Sequence, residues 1–419
     1  MTIKHGSQFT TDALPIARSC FNQCDCLNSI NQIFIKMKKK NIMSLSVFAL
    51  FTLAAFTSYK TLMFSCNKSG TTDKNTSIID SLEISSKYIQ PVDSIQFLQS
   101  YNLSCSYPCG DSLAIMGYNY RTHALDIFSD STLLNKIQLE HHGENGILGR
   151  PTAIMPITRD SIWIYDQVAF YLIDSQGKLL YKFKEDRSVF LNANYAMQTA
   201  VMGWYDNDCL LYPVDVNGRY FVEYYSLKQK KIVKEVELDG AVCNRNGKNS
   251  YGYMTYPNVS FANNKIIYNY PYESNIQTIE LSTGEKQEYK AESKFTDNTI
   301  NPYKGSINSV EMLEYAWNNV HFFDVAYIPQ VELYVRFILD GIDVKKHKDR
   351  DSVVDARKLY VSFMDKDFNV VGEFPLKEKR YSNFHGWCVF PRCIIVYVDN
   401  LLGEAQDNLV FDILAPVLH

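Results

Sequence analysis

Arg336 sits inside the apolar run Leu333-Tyr334-Val335-Arg336-Phe337-Ile338. A lone guanidinium cannot be buried cheaply, so it must meet water or a partner. Two placements satisfy that need. If its strand is the innermost of its sheet, Arg336 lines a channel, where its planar fork suits carboxylate or phosphate. Otherwise it pairs with a carboxylate such as Asp324. A second polar group is His141-His142, close to Glu144 and Asn145. Neighbouring strand residues point to opposite faces, so two adjacent imidazoles share one ion only across a turn. A polar connecting loop is the simpler reading. Arg336, His142 and Asn145 are therefore the candidate ligand-binding residues.

Other combinations carry less chemistry. Asp365-Lys366-Asp367-Phe368-Asn369 imitates the start of a calcium loop, but Val370 stands where glycine is required and Leu376 where glutamate is. It reads as a hairpin turn, as does Asp215-Val216-Asn217-Gly218. The aromatics of Tyr251-Gly252-Tyr253-Met254-Thr255-Tyr256 offer faces for sugars or peptides, or ordinary strand packing. Cys20, Cys24 and Cys26 lack the paired spacing of zinc modules. Cys105 and Cys109 are near enough in sequence for a bridge. There is no nucleophile elbow, P-loop, zincin helix or glycine-rich dinucleotide loop. The sequence therefore names no catalytic residue, cofactor or metal site.

The N-terminal region carries a different kind of signal. Lys36, Lys38, Lys39 and Lys40 precede residues 41–59, which hold no charge. A basic start, an apolar core and a small residue before a cut make a secretory signal. Leu62-Met63-Phe64-Ser65-Cys66 resembles a bacterial lipobox, which implies cleavage after Ser65 and acylation of Cys66. An uncleaved membrane helix is the alternative. Both place the rest of the chain outside the cytoplasm. Met37 reads as the natural start, with residues 1–36 an over-extended or disordered leader and 37–65 the signal peptide. The polar stretch within 66–84 reads as a tether. No acidic cluster follows Cys66, which favours the periplasmic face of the outer membrane.

These features must be carried by a body of residues 85–419. Of 419 residues, 46% are hydrophobic and 14% aromatic, with 29 tyrosines and 24 phenylalanines. Aromatic enrichment favours strands. The net charge of −4 gives no basis for nucleic-acid binding. From residue 85 a unit recurs six times: an Asp or Asn turn, a strongly apolar strand, then two more strands. Its copies open near Asp111, Asp160, Asn207, Asn263, Val331 and Pro391. Units of this kind at intervals of about 50 to 70 residues are propeller blades. The fold class expected is all-β, a six-bladed β-propeller. Lys87-Tyr88-Ile89-Gln90 to Phe97-Leu98 is expected to supply the last blade's missing outer strand, removing a free edge. Residues 308–317 have helical spacing, and 341–357 form a charged insertion between two strands.

Gly143-Glu144-Asn145-Gly146-Ile147-Leu148-Gly149-Arg150-Pro151, running on to Asp160-Ser161-Ile162-Trp163-Ile164 and Asp174-Ser175-Gln176-Gly177, resembles six-bladed propellers of the TolB-like and NHL-like kind. With the lipobox and with Phe323-Asp324 leading into Tyr334-Val335-Arg336-Phe337, the chain resembles a domain-of-unknown-function lipoprotein family of the TolB-like superfamily. That resemblance implies architecture and no particular reaction. The reading it supports is a non-catalytic binding or scaffold module of the cell envelope, held to the membrane by Cys66 and meeting an envelope protein, peptide or glycan. The alternative is a propeller hydrolase or lyase acting on glycans or peptides.

Overall fold

The computed structural model describes residues 79–89, 98, 100–108, 114–192, 199–240, 251–305, 310–381, 384, 386–398 and 408–418. Cys66, the leader, the signal segment, Cys109 and His385 lie outside these residues.

Six antiparallel sheets follow one another along the chain. Blade 1 is β2 (Ser104–Ser106), β3 (Ile115–Asn119), β4 (Ala124–Phe128) and β5 (Leu133–Gln138). Blade 2 is β6 (Ala153–Thr158), β7 (Ser161–Tyr165), β8 (Ala169–Ile173) and β9 (Leu179–Lys184). In blade 3, β10 (Ser188–Val189) and β11 (Gly203–Tyr205) both pair with β12 (Cys209–Val216), which is followed by β13 (Arg219–Ser226) and β14 (Lys231–Glu237). Blade 4 is β15 (Asn258–Ala262), β16 (Lys265–Asn269), β17 (Ile276–Glu280) and β18 (Lys286–Tyr289). Blade 5 is β19 (His321–Ile328), β20 (Leu333–Leu339), β21 (Leu359–Met364) and β22 (Val370–Pro375). Blade 6 takes β23 (Trp387–Val389), β24 (Ile394–Tyr397) and β25 (Leu409–Leu418), and is completed by β1 (Ile79–Ile89).

The expected closure by an N-terminal strand is present, with shifted bounds. β1 pairs along β25 from Ile79–Leu418 to Ile89–Leu409. The strand therefore begins inside the span expected as tether and ends at Ile89. The innermost strands β2, β6, β11, β15, β19 and β23 adjoin in turn around the ring. Thr152 accepts from Ala200 N–H at 3.0 Å where blade 2 meets blade 3. Shared apolar clusters glue neighbouring blades. Phe170 packs at a tilt against Tyr212, ring centroids 4.5 Å apart, joining blades 2 and 3, and Tyr101 lies 6.2 Å from Tyr397 where blade 6 meets blade 1.

Burial explains why the sequence repeat is legible and where it misleads. The second strand of each blade is covered on both faces: every residue of β3, β20 and β24 is buried. Such strands read as continuous apolar runs. Outer strands alternate, as in Leu179–Lys184. Some innermost strands are short, as in Ser104-Cys105-Ser106, whereas that of blade 5, His321–Ile328, has eight residues. The recurring Asp/Asn turn is the hairpin between first and second strands. Asn207, Asn263 and Asn264 hold left-handed φ of 52°, 48° and 60° there, a conformation Asn tolerates better than most residues. The apolar strand opening each sequence unit is thus the second of its blade, not the innermost.

Residues 310–318 form the helix expected from their spacing, α1 (Val310–Asn318). The charged insertion between β20 and β21 carries α2 (Arg350–Ala356), capped by Asp349, which accepts from Ser352 N–H at 2.9 Å. Asp365 and Asp215 sit at the hairpin turns expected of them, accepting backbone N–H groups of Asn369 and Gly218 at 2.9 and 2.7 Å.

Candidate functional site

The three residues singled out from sequence are not brought together. Arg336 lies on β20, the second strand of blade 5, with no exposed surface. Its Nη1 donates to Ser274 O at 2.9 Å and its Nη2 to Ala291 O at 2.7 Å, both across the interface with blade 4. The guanidinium also lies 4.7 Å from the Phe322 ring centroid. Burial pushes its pKa down to about 9, against the upward pull of Glu373. Arg336 is therefore a core cation held through Nη1 and Nη2 by two carbonyls, with its Nε left without a hydrogen-bond partner among the described residues. It neither lines a channel nor pairs with Asp324, because β19 stands between its strand and the axis.

Asn145 and His142 belong to the connection from blade 1 to blade 2. Asn145 accepts from Leu179 N–H at 3.1 Å, pinning that connection to the outer strand of blade 2. His142 is exposed. His141 stacks on buried His123 at 3.8 Å, and His123 bonds Tyr118 Oη at 2.9 Å and Ile147 O at 3.0 Å. Among the described residues no three His, Cys, Asp or Glu side chains converge as a metal site.

What the inner strands do form is a central channel of about 310 Å³. Blade 1 contributes Asn102, Ser104 and Ser106, blade 5 contributes Asp324, and blade 6 contributes Trp387. Met155 of blade 2 and Thr199, between β10 and β11 of blade 3, also line it. Asp324 reaches it because the β19–β20 register slips between Phe322 and Val325. A bulge of this kind re-aims side chains. Asn192, which is fully buried, approaches Asp324 at 3.4 Å while its amide clasps Val259 through bonds of 3.0 and 2.9 Å. Asp324 thus brings negative charge to a wall that mixes hydroxyls, an amide and an indole with aliphatic side chains such as Ile154 and Val201.

Cys105 and Cys388 face the same channel. Burial pushes the Cys388 thiol up to about 12, and burial, reinforced by Cys388, pushes Cys105 well above its ordinary value. Both are kept from the reactive thiolate form. The chemistry on offer is hydrogen bonding, one carboxylate and an aromatic face, which is the equipment of recognition. Sequence reasoning met Asp324 as a partner for Arg336 and as part of the family resemblance, not as a binding residue. The available signal was a carboxylate interrupting Phe322-Phe323-Asp324-Val325, with Ser104 and Ser106 on one side of a strand.

The closed ring of six sheets, with a cavity of mixed polar and apolar lining at its inner strands, defines a six-bladed β-propeller. The chain belongs to the family described as a domain of unknown function, DUF4221, whose model matches residues 81–375. A crystal structure of a family member from Bacteroides vulgatus superposes with a TM-score of 0.65 at 12% identity, covering 81% of this chain and 100% of that one. A Bacteroides fragilis protein described as exported superposes with a TM-score of 0.52 at 10% identity, covering 82% and 97%. No curated protein matches the chain.

Proposed function

We propose that this protein is an exported, lipid-anchored binding module of the cell envelope, taking a peptide or glycan ligand at its central channel. The observation that carries the reading is the convergence of Asn102, Ser104, Thr199, Asp324 and Trp387, drawn from different blades, on one cavity. Ring-shaped folds place concave, polar-lined sites where several repeats meet. A backbone segment or sugar offers hydroxyl and N–H donors for Asp324 and a flat face for Trp387. Export is supported by the basic and apolar segments before Cys66 and by the exported description of the B. fragilis neighbour. Acylated Cys66 would hold the propeller at the periplasmic face of the outer membrane.

Two experiments test this. Envelope peptide and glycan arrays, read on the wild type and on Asp324→Asn, should yield a ligand whose affinity falls at least tenfold in the variant at unchanged thermal stability. Ligands that bind both proteins equally would remove the channel from the proposal. Cys66→Ala should release the protein from membranes or arrest its maturation. A mature chain still carrying residue 65 would overturn the anchor.

A further inference from the structure

A second cavity lies beside blade 4, away from the channel, and encloses about 540 Å³. Its walls are tyrosines: Tyr251, Tyr268, Tyr270 and Tyr272. Tyr251 and Tyr272 stack at 3.7 Å with their planes 10° apart, and Tyr270 follows Tyr272 at 5.3 Å. The phenols are tied to the backbone of Asp239: Tyr270 donates to its carbonyl at 2.6 Å, and Tyr268 accepts from its N–H at 3.2 Å. The aromatic walls are therefore pre-positioned.

The acidic groups of this cavity divide sharply. Asp239 is neutralised by Lys286 at 2.7 Å. Glu288 is oriented by the amides of Asn275 at 3.2 Å and Gln277 at 3.3 Å, which bring no charge. Glu273 lines the same cavity with no hydrogen bond or ion pair to its carboxyl among the described residues. Burial, then the neighbouring Glu288, hold it above the usual carboxylate range. Two carboxylates lining one tyrosine-walled cavity repel each other, and neither has an ion-pair partner among the described residues. A cation relieves both at once. A neutral sugar would find faces to stack on but would leave the repulsion in place.

We propose that this tyrosine-walled pocket binds an organic ammonium group, the chemistry of a lysine side chain or an alkylamine, with Glu273 and Glu288 as its counter-charges. Lys286 does not fill that role, since Asp239 already holds it. The proposal is independent of the channel and of its ligand.

The test is calorimetric titration of the full chain with n-butylammonium chloride, against sodium chloride and methyl glucoside. Saturable ammonium binding is expected, weakened at least tenfold by Glu273→Gln and by Glu288→Gln, and unchanged by Asp324→Asn in the channel. Glu273→Gln removes no hydrogen bond and relieves the repulsion from Glu288, so its melting temperature should be no lower than wild type and its binding result can be read directly. No saturable heat with the ammonium ion, equal binding by Glu273→Gln, or stronger binding of methyl glucoside than of the ammonium would each overturn the proposal.

Discussion

Ser86 on the first strand donates its hydroxyl to Asp412 on the last at 2.7 Å, across a sequence separation of 326 residues. Asp412 is fully buried and collects three further bonds. Arg380 grips it with Nε at 2.5 Å and Nη2 at 2.7 Å, and Tyr381 Oη donates at 2.5 Å. This carboxylate is the clasp of the ring, binding the N-terminal strand, the third strand of blade 6 and the segment after blade 5. Lys87 adds an ion pair to Asp130 of blade 1 at 3.0 Å.

Asp412→Ala should therefore open the ring at its seam. Removing one partner of a buried pair leaves Arg380 uncompensated, at a cost of about 3 kcal/mol or more. Deleting residues 79–89 should cost more, because it also bares the whole edge of β25. Urea denaturation of both variants checks this, and unchanged midpoints would show that the seam contributes nothing.

The clasp also predicts acid lability. Burial alone would raise the Asp412 pKa, but the hydrogen bonds from Arg380, Tyr381 and Ser86 outweigh it and hold the carboxyl below its ordinary value. A depressed folded-state pKa contributes stability above the unfolded value, about 3.9, and that stability is lost as pH falls through the folded one. Wild type should lose stability steeply below about pH 4. Asp412→Asn should be weaker at pH 7 and flatter there. Thermal melts across pH 2–7 compare the two slopes.

Glu223 in blade 3 should act with the opposite sign. Burial, then nearby Glu185, push it up to about 7, opposed by Tyr212 and Arg187, whose guanidinium is 2.6 Å away. Folding then favours the protonated acid, so its stabilising contribution is complete below the unfolded value and is lost as pH rises from about 4.5 to about 7. Glu223→Gln should melt higher than wild type at pH 8 and no higher at pH 4.5. Equal differences at both values would mean that Glu223 does not titrate in this range.

Arg336→Met should destabilise the blade 4–blade 5 interface. It strips Ser274 O and Ala291 O of their charged donors, each such bond being worth about 1.5–3 kcal/mol. It should leave binding at the channel untouched, because the side chain is fully buried away from that wall. Stability and array binding measured on the same preparation separate the two effects.

The buried thiols give a further check. Cys388, at 6% exposure and with its pKa near 12, should resist iodoacetamide in the native protein and react at once in urea. Rapid native labelling at Cys388 would place it on an open surface instead.

Some of this protein was legible in one dimension. Strands covered on both faces must be apolar throughout, so Leu333–Leu339 and Ile394–Tyr397 announce themselves, and Asn turns such as Asn207 and Asn263–Asn264 punctuate them. Repetition of that pattern implies stacked blades, because no single blade can bury its own faces, and stacked blades require a closing strand. The shortest inner strands escaped notice for the complementary reason. Ser104–Ser106 and Trp387–Val389 are three residues each and face a channel, so nothing forces an apolar run on them. That omission moved every blade's apparent start outward by one strand, and with it Arg336. Local sequence requires that a charge inside an apolar strand find partners. It cannot say that those partners are two carbonyls of the preceding blade, some 45 and 62 residues back. Which polar groups meet, Asp324 with Asn192 at the channel or Glu273 with Glu288 among the tyrosines, is set by blade-to-blade packing and by bulges that re-aim single side chains. Those are contacts between distant parts of the chain, and only the closed ring decides them.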